Sequence, residues 1–283
     1  MQSELLLIAK TAVAAGREIL NIYESGFLVE EKADGSPLTE ADRRAHEIIQ
    51  AALSATGLPL LSEEGRDIDY DRRKHWRRFW MVDPLDGTKE FVHRRGEFTV
   101  NIALIEEGRP VMGAVYLPTT ATLYVAARGF GAWRLEKQQG LLLENAPEGP
   151  GLQKAWSRIA AESRRLPLAG GDERPFTIIG SRSHGTEAVT AYVRDREKEH
   201  GRVDFISAGS SLKFCRVAEG AADVYPRFGP TMEWDTAAGQ AVAEAAGAEV
   251  IEADSGRPLV YNKPDLKNPW FVVRRKGNIP CRS

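Results

Sequence analysis

Cysteine is scarce in this chain of 283 residues: only Cys215 and Cys281 occur. They form neither a metal-ligand spacing nor a disulfide framework, and a reducing, cytoplasmic setting is expected. No apolar run approaches the roughly 18 residues of a membrane span. Met1 to Glu4 lacks a basic start, and Lys10 and Arg17 interrupt the apolar stretch that follows. A signal peptide is therefore not expected. Charge of one sign is also lacking: 38 basic against 40 acidic residues leave −2, which gives no global field for nucleic acid or anionic lipid. The five histidines, His46, His75, His93, His184 and His200, show no zinc spacing. Ser183-His184-Gly185 lacks the G-x-S-x-G elbow, and no Walker loop occurs. Gly129-Phe130-Gly131 begins like a dinucleotide fingerprint, but Arg134 stands where the third glycine would be. A turn is the better reading.

Apolar residues make up 42% and charged residues 28%, a composition of folded globular proteins. The length allows two parts sharing a core. Leu5 to Tyr23 reads as an amphipathic helix with Ser3 as its cap. Phe27 to Lys32 reads as extended and Ala33 to Pro37 as a loop. Thr39 is expected to cap a helix through Ser54, with Ala41, Ala45, Ile48, Ile49, Ala52 and Leu53 as its apolar face. Between Asp67 and Arg78, basic residues surround His75 and Trp76, a pattern that occurs in nucleic-acid binders. Asp67, Asp69 and Asp71 dilute it, which favours a solvated face.

Phe98–Ile105, Val111–Leu117, Leu123–Ala127 and Gly131–Leu135 read as an antiparallel meander. Residues 138–174, rich in Pro and Gly around a helix from Leu152 to Ser163, read as linker plus insertion. Beyond them, strand and helix alternate: Phe176–Gly180, Thr186–Lys198, Val203–Ser207, Ser211–Glu219, Asp223–Arg227 and Thr236–Ala246. Two closing strands are expected around the turn Asp254-Ser255-Gly256. The expected organisation is α/β in two parts, an α+β part over 1–137 and an α/β part over 175–283.

The chemistry concentrates at Val82-Asp83-Pro84-Leu85-Asp86-Gly87-Thr88-Lys89. A buried strand is expected to end at Val82, followed by a turn holding two carboxylates. Pro84 stiffens the turn and could aim the Leu85 carbonyl outward. Gly87 permits an unusual backbone, and Thr88 opens a helix whose N–H groups favour an anion. Hard oxygen ligands beside such a chain end suit Mg²⁺ with a phosphate. A capping role for these acids is the plain alternative. Further acids stand at element ends: Glu63-Glu64 after a short apolar run, and Asp235 where a later helix begins. Asp235 could serve only as an N-cap, and Glu63-Glu64 could be a solvated loop pair. Gathered together, these carboxylates would repel one another, and divalent cations would relieve that repulsion.

These three blocks, in this order, resemble the inositol monophosphatase superfamily of Mg²⁺-dependent, lithium-inhibited phosphatases. Thr88-Lys89-Glu90-Phe91, Gly96 to Leu104, Ser181-Arg182-Ser183-His184, Gly209 to Phe214 and Tyr225 to Thr231 are similar to the bacterial 3′(2′),5′-bisphosphate nucleotidases within it. The resemblance covers the chain apart from residues 138–174. It implies a layered α-β-α-β-α fold. It also implies hydrolysis of the 3′-phosphate of adenosine 3′,5′-bisphosphate, a by-product of sulfate assimilation.

The resemblance implies the following roles. Glu64, Asp83 and the Leu85 carbonyl hold one Mg²⁺, and Asp83, Asp86 and Asp235 hold a second. A third, weaker ion uses Glu64 with water. Two such ions about 3.5–4 Å apart clamp the attacking and leaving oxygens of an in-line displacement. Thr88 orients the water, with Asp42 as its proton partner, while Gly87 and Thr88 offer N–H groups to the phosphate. In the plain reading, Asp42 is an acid matched to a helix dipole. Lys89 stands where inositol phosphatases usually carry a small polar residue, and a cation there suits a doubly phosphorylated substrate. Gly209, Ser210 and Ser211 are expected to meet the ribose or second phosphate. Lys213 and Arg227 are the candidate charge partners; surface cations are their plain alternative.

The expected partner is thus a small nucleotide bisphosphate rather than nucleic acid. Loose association with the inner membrane surface is compatible with the composition. The rival readings are an inositol or broad sugar phosphatase and a non-catalytic docking protein on the same fold.

Overall fold

A computed structural model describes the chain except residues 27–28, 32–36, 66, 147–150, 169–173, 182–185 and 277–283. The first helix, α1 (Gln2–Ser25), buries Leu5, Ile8, Ala12, Ala15, Ile19 and Ile22. Their spacing of three and four residues draws one apolar stripe along the helix. Met1 rather than Ser3 holds the cap position. Strands β1 (Val29–Glu31) and β2 (Pro37–Thr39) pair antiparallel, so Pro37 opens a strand instead of closing a loop. Helix α2 (Glu40–Ser54) starts at Thr39 as expected and buries Ala41, Ala45, Ile49 and Leu53.

Next come β3 (Leu60–Ser62), the short helix α3 (Tyr70–Arg73), β4 (Arg78–Asp86), α4 (Thr88–Val92), β5 (Thr99–Glu106), β6 (Arg109–Leu117), β7 (Thr122–Ala127) and β8 (Gly131–Leu135). The charged stretch from Asp67 is not solvated throughout. Arg73 is buried and donates to Asn262 Oδ1 and to the carbonyls of Lys263 and Pro264 at 2.6–3.0 Å. Helices α5 (Lys137–Glu144) and α6 (Leu152–Glu162) and strand β9 (Arg164–Arg165) follow. The stretch read as linker plus insertion is packed where it is described. Leu143, Trp156 and Ile159 join the cluster buried by α1, and β9 pairs with β8.

These strands form one seven-stranded sheet in the order β3-β4-β5-β6-β7-β8-β9. Among the described residues only β3 and β4 of this sheet pair in parallel; the expected meander runs from β5 to β8. Because side chains alternate across a strand, each strand feeds two cores. Trp80 and Val82 of β4 face α1 and α2, whereas Phe79 and Met81 face the opposite side.

That opposite side is covered by α8 and α9 from the second half. Here lie β10 (Phe176–Gly180), α7 (Glu187–His200), β11 (Val203–Ser207), α8 (Leu212–Glu219), β12 (Val224–Arg227), α9 (Glu233–Ala245), β13 (Ala248–Glu252) and β14 (Phe271–Arg275). The strands form a five-stranded sheet, β11-β10-β12-β14-β13. The closing strands pair antiparallel, but residues 253–270 separate them. Phe214, Trp234, Ala238 and Val242 fill the space between the two sheets with Phe271 and Val273. Ile178, Val224 and Val272 turn outward to Tyr192 and Val193 of α7. The result is the layered α-β-α-β-α arrangement. Among the described residues no helix is long and apolar enough to cross a membrane.

Close packing fixes α9 against the first sheet. A Cβ on Gly113 of β6 would stand 2.6 Å from the Ala238 carbonyl oxygen and 2.8 Å from Ala241 Cβ. Only glycine lets the helix lie so near, and this seats its first turn, with Asp235, over the end of β4.

Candidate active site

The strand β4 does not stop at Val82. It continues through Asp86, and its pairing with β5 slips: Asp83 faces Asn101 and Asp86 faces Thr99. Three steps on β4 therefore match two on β5, which is a β-bulge. In a regular strand, residues three apart point to opposite faces. The extra residue restores the phase and turns both carboxylates to the α8–α9 side. Asp83 is 1% exposed and takes the Leu85 N–H on Oδ1 at 3.0 Å. Asp86 Oδ2 accepts from the Ser210 hydroxyl and the Ser211 N–H, both at 2.7 Å, and from Asn101 Nδ2 at 3.4 Å.

Asp235 arrives from the first turn of α9. It is the third helical residue, not the cap itself, and its Oδ2 takes the Met232 N–H at 2.8 Å. Burial pushes its carboxyl well above the usual range, and the charges of Asp86 and Glu63 push the same way. Asp83 behaves alike: burial first, then Glu63, Asp86, Asp235 and Asp42 raise it. Four acids from separate elements thus share one field with Asp83.

The structure adds one acid to the expected set. Glu63 is an acid whose charge bears on both Asp83 and Asp235, beside the expected Glu64. The two lie in the 3₁₀ turn Glu63–Gly65 that follows β3, where adjacent side chains point in different directions. Glu64 acts on His46, whose pKa falls through burial while Glu64 and Glu47 oppose the fall. His46 Nδ1 lies 2.9 Å from Ser62 Oγ.

Asp42 and Thr88 meet as expected, loosely. Asp42 Oδ2 takes the Thr39 N–H at 2.8 Å and its hydroxyl at 2.7 Å. The Thr88 hydroxyl lies 3.2 Å from the Leu85 carbonyl and 3.5 Å from Asp42 Oδ1. One hydroxyl proton serves only one of them, and the carbonyl is the nearer. Gly87 sits at φ 92°, in the left-handed region. Lys89 is exposed on α4.

Gly209, Ser210 and Ser211 reach the site from the other half of the chain. They line a cleft of ≈ 140 Å³ with Asp86, Arg227 and Asp235. A larger hollow, ≈ 630 Å³ near Val111, Phe130 and Ile251, touches none of these acids. Lys213 also lines the cleft, but it is not a surface cation. It is 4% exposed, and Nζ donates to the Ala208 and Ser210 carbonyls at 3.2 and 2.5 Å. Burial pulls its pKa down to about 8 against the pull of Asp86. Arg227 donates to Ser181 Oγ at 3.0 Å and to the Pro230 carbonyl at 2.8 Å. Its Nε is buried and has no partner among the described residues. Arg182, Ser183 and His184 of the Ser181 motif lie outside the described residues.

Thr99 and Asn101 were not anticipated. They are buried polar residues at alternate positions of a strand that is otherwise apolar up to its exposed last residue, Glu106. The Thr99 hydroxyl bonds to those of Ser210 and Ser211, and Ser211 donates to Asn101 Oδ1 at 2.7 Å. Their alternation and their place opposite Asp83 and Asp86 are the signals that could have found them.

A profile of the inositol monophosphatase family matches residues 1–275. The chain belongs to the inositol monophosphatase family. Within that family it is similar to the 3′(2′),5′-bisphosphate nucleotidase CysQ of Salmonella typhimurium. The two are 42% identical over 271 residues, 94% of this chain and 97% of that one. A crystal structure of CysQ from Bacteroides thetaiotaomicron, a bacterial member of the family, superposes with a TM-score of 0.86 at 50% identity. It covers 98% of both chains. The extragenic suppressor protein SuhB of Bartonella henselae shares the fold, with a TM-score of 0.70 at 23% identity over 95% of this chain and 93% of that one.

Proposed function

We propose that the chain is a Mg²⁺-dependent 3′(2′),5′-bisphosphate nucleotidase that converts adenosine 3′,5′-bisphosphate and water to AMP and phosphate. The observation that carries the reading is one cleft in which Asp86 and Asp235, sharing a field with buried Asp83, meet the Ser210–Ser211 turn and the Arg227 guanidinium. The near full-length likeness to named nucleotidases supports it.

The donor set fits Mg²⁺. All its side-chain donors are hard oxygens, and Asp83 and Asp235 carry a repulsion that a divalent cation would relieve. Among the described residues no three His, Cys, Asp or Glu side chains already form a set that could enclose an ion. Asp83, Asp86 and Asp235 each commit one oxygen to protein donors. Their other oxygens, with Glu63 and the Leu85 carbonyl, would hold the cations. When bound, Mg²⁺ would supply Lewis-acid charge at the phosphoryl centre.

The remaining chemistry belongs to the chain. Gly87 and Thr88 N–H groups at the start of α4 face the phosphate. The Thr88 hydroxyl, shifting its proton from the Leu85 carbonyl toward Asp42, accepts a hydrogen bond from the attacking water and aligns it. Asp42 receives the relayed proton. The phosphoryl–O3′ bond breaks as the water oxygen bonds to phosphorus, and O3′ leaves as the ribose hydroxyl with a solvent proton. Arg227 Nε meets the nucleotide's other phosphate, and Ser210 meets the ribose. In this reading the enzyme works in the cytoplasm, in sulfur metabolism, and is lithium-sensitive.

Phosphate release across nucleotide, inositol and fructose phosphates with Mg²⁺ titrated tests the proposal. Adenosine 3′,5′-bisphosphate is expected to be turned over far faster than the sugars, in a Mg²⁺-dependent and lithium-inhibited way. Preference for inositol phosphate, or inactivity on every substrate, overturns it.

A further inference from the structure

Two segments converge on the backbone of Glu97. A Cβ on Gly87 would stand 3.1 Å from the Glu97 carbonyl oxygen, and a Cβ on Gly209 would stand 2.8 Å from the same atom. The Glu97 carboxylate closes the contact, because Oε2 accepts the Gly209 N–H at 2.6 Å. Gly87 belongs to the turn after β4, and Gly209 to the turn before α8. Glu97 therefore bridges the two halves of the cleft.

What it grips is under tension. Ser210, the next residue, sits at φ 54°, a region that costs a non-glycine residue energy unless its surroundings hold it there. Its hydroxyl, with the Ser211 N–H, reaches Asp86 Oδ2 at 2.7 Å. Lys213 holds the same turn from within the protein through the Ala208 and Ser210 carbonyls. The turn is thus fixed at its amide end by a carboxylate and at its carbonyls by an ammonium.

We propose that Glu97 is a positioning residue: it latches the Gly209–Ser211 turn across the sheet-to-helix boundary and thereby sets the orientation of the Asp86 carboxylate for the cation that carboxylate faces. The inference rests on the reading of Asp86 as part of a Mg²⁺ cradle. Removing a group that orients a metal-facing ligand typically costs about 10- to 100-fold in metal affinity or activity.

Two readouts on the full-length protein test it. Amide hydrogen exchange of the metal-free protein reads the latch alone. Glu97→Ala is expected to speed exchange in the peptide spanning residues 208–212. Glu97→Gln, which keeps an oxygen acceptor of the same reach, is expected to restore protection. Calorimetric titration with Mg²⁺ reads the coupling to Asp86. Glu97→Ala is expected to raise the Kd about 10-fold or more, and Glu97→Gln to stay near the parent. Glu107→Ala, which removes an exposed acid paired with Arg77, should change neither readout. If Glu97→Ala does not fold, Glu97→Asp, too short to reach Gly209, takes its place with the same expectations. Unchanged exchange overturns the latch. Faster exchange with an unchanged Kd overturns the coupling to Asp86. A parent protein that binds no Mg²⁺ refutes the cradle instead, and the exchange result then stands by itself.

Discussion

Asp83→Asn is expected to cut turnover roughly 10³-fold while making the metal-free protein more stable. Asp83 is 1% exposed, and its carboxyl is raised by burial and then by Glu63, Asp86, Asp235 and Asp42. A carboxyl whose folded pKa lies above its unfolded value favours the native state fully below the unfolded pKa. That contribution is lost as pH climbs through the folded pKa. At neutral pH and without cations, this charge therefore costs stability. Asparagine has nearly the same shape, and its Oδ1 can still accept the Leu85 N–H. The gain is expected to be about 1 kcal/mol or more at pH 7.5, read as a higher Tm, and to vanish near pH 4. Activity moves the other way. If Asp83 faces both cations, losing its charge costs about 4 kcal/mol of transition-state stabilisation, or roughly 10³-fold in rate. A variant with near-normal turnover would refute the assignment.

The adjacent acids offer the second large contrast. Glu63→Gln is expected to lower kcat/KM about 100-fold and to weaken the Mg²⁺ dependence. Glu64→Gln should stay within about 3-fold of the parent, because Glu63 and not Glu64 is among the leading charges on Asp83 and Asp235. The contrast follows from which of the two raises Asp83 and Asp235; Glu64 acts on His46. Equal losses, or the reverse order, would restore Glu64 to the site.

Much of this architecture was legible in the residues. The meander announced itself through apolar runs broken by Gly108, Pro118 and Gly129, and Thr39 marked the start of α2. The order of the acid blocks pointed to one cradle built from distant segments. What stayed hidden depends on phase and direction. The bulge at Pro84-Leu85 is an offset against β5, visible only once the partner strand is placed. The choice between Glu63 and Glu64 turns on one residue's rotation in a 3₁₀ turn. Lys213 reads equally as a charge partner or a surface cation, and only the fold shows α8 turning it inward to carbonyls of its own turn. The helix from Leu152 was legible, but α5 and the packing of both helices against α1 were obscured by the Pro and Gly around them, although Trp156 is core material.

Anomalous diffraction from crystals soaked in Mn²⁺ reports most directly on whether acids from β4, α9 and the turn after β3 gather around cations. The expected map holds two peaks about 3.5–4 Å apart, with Asp83 touching both, Glu63 on one side and Asp86 with Asp235 on the other. A clean map in which no peak touches Asp83 would contradict the account.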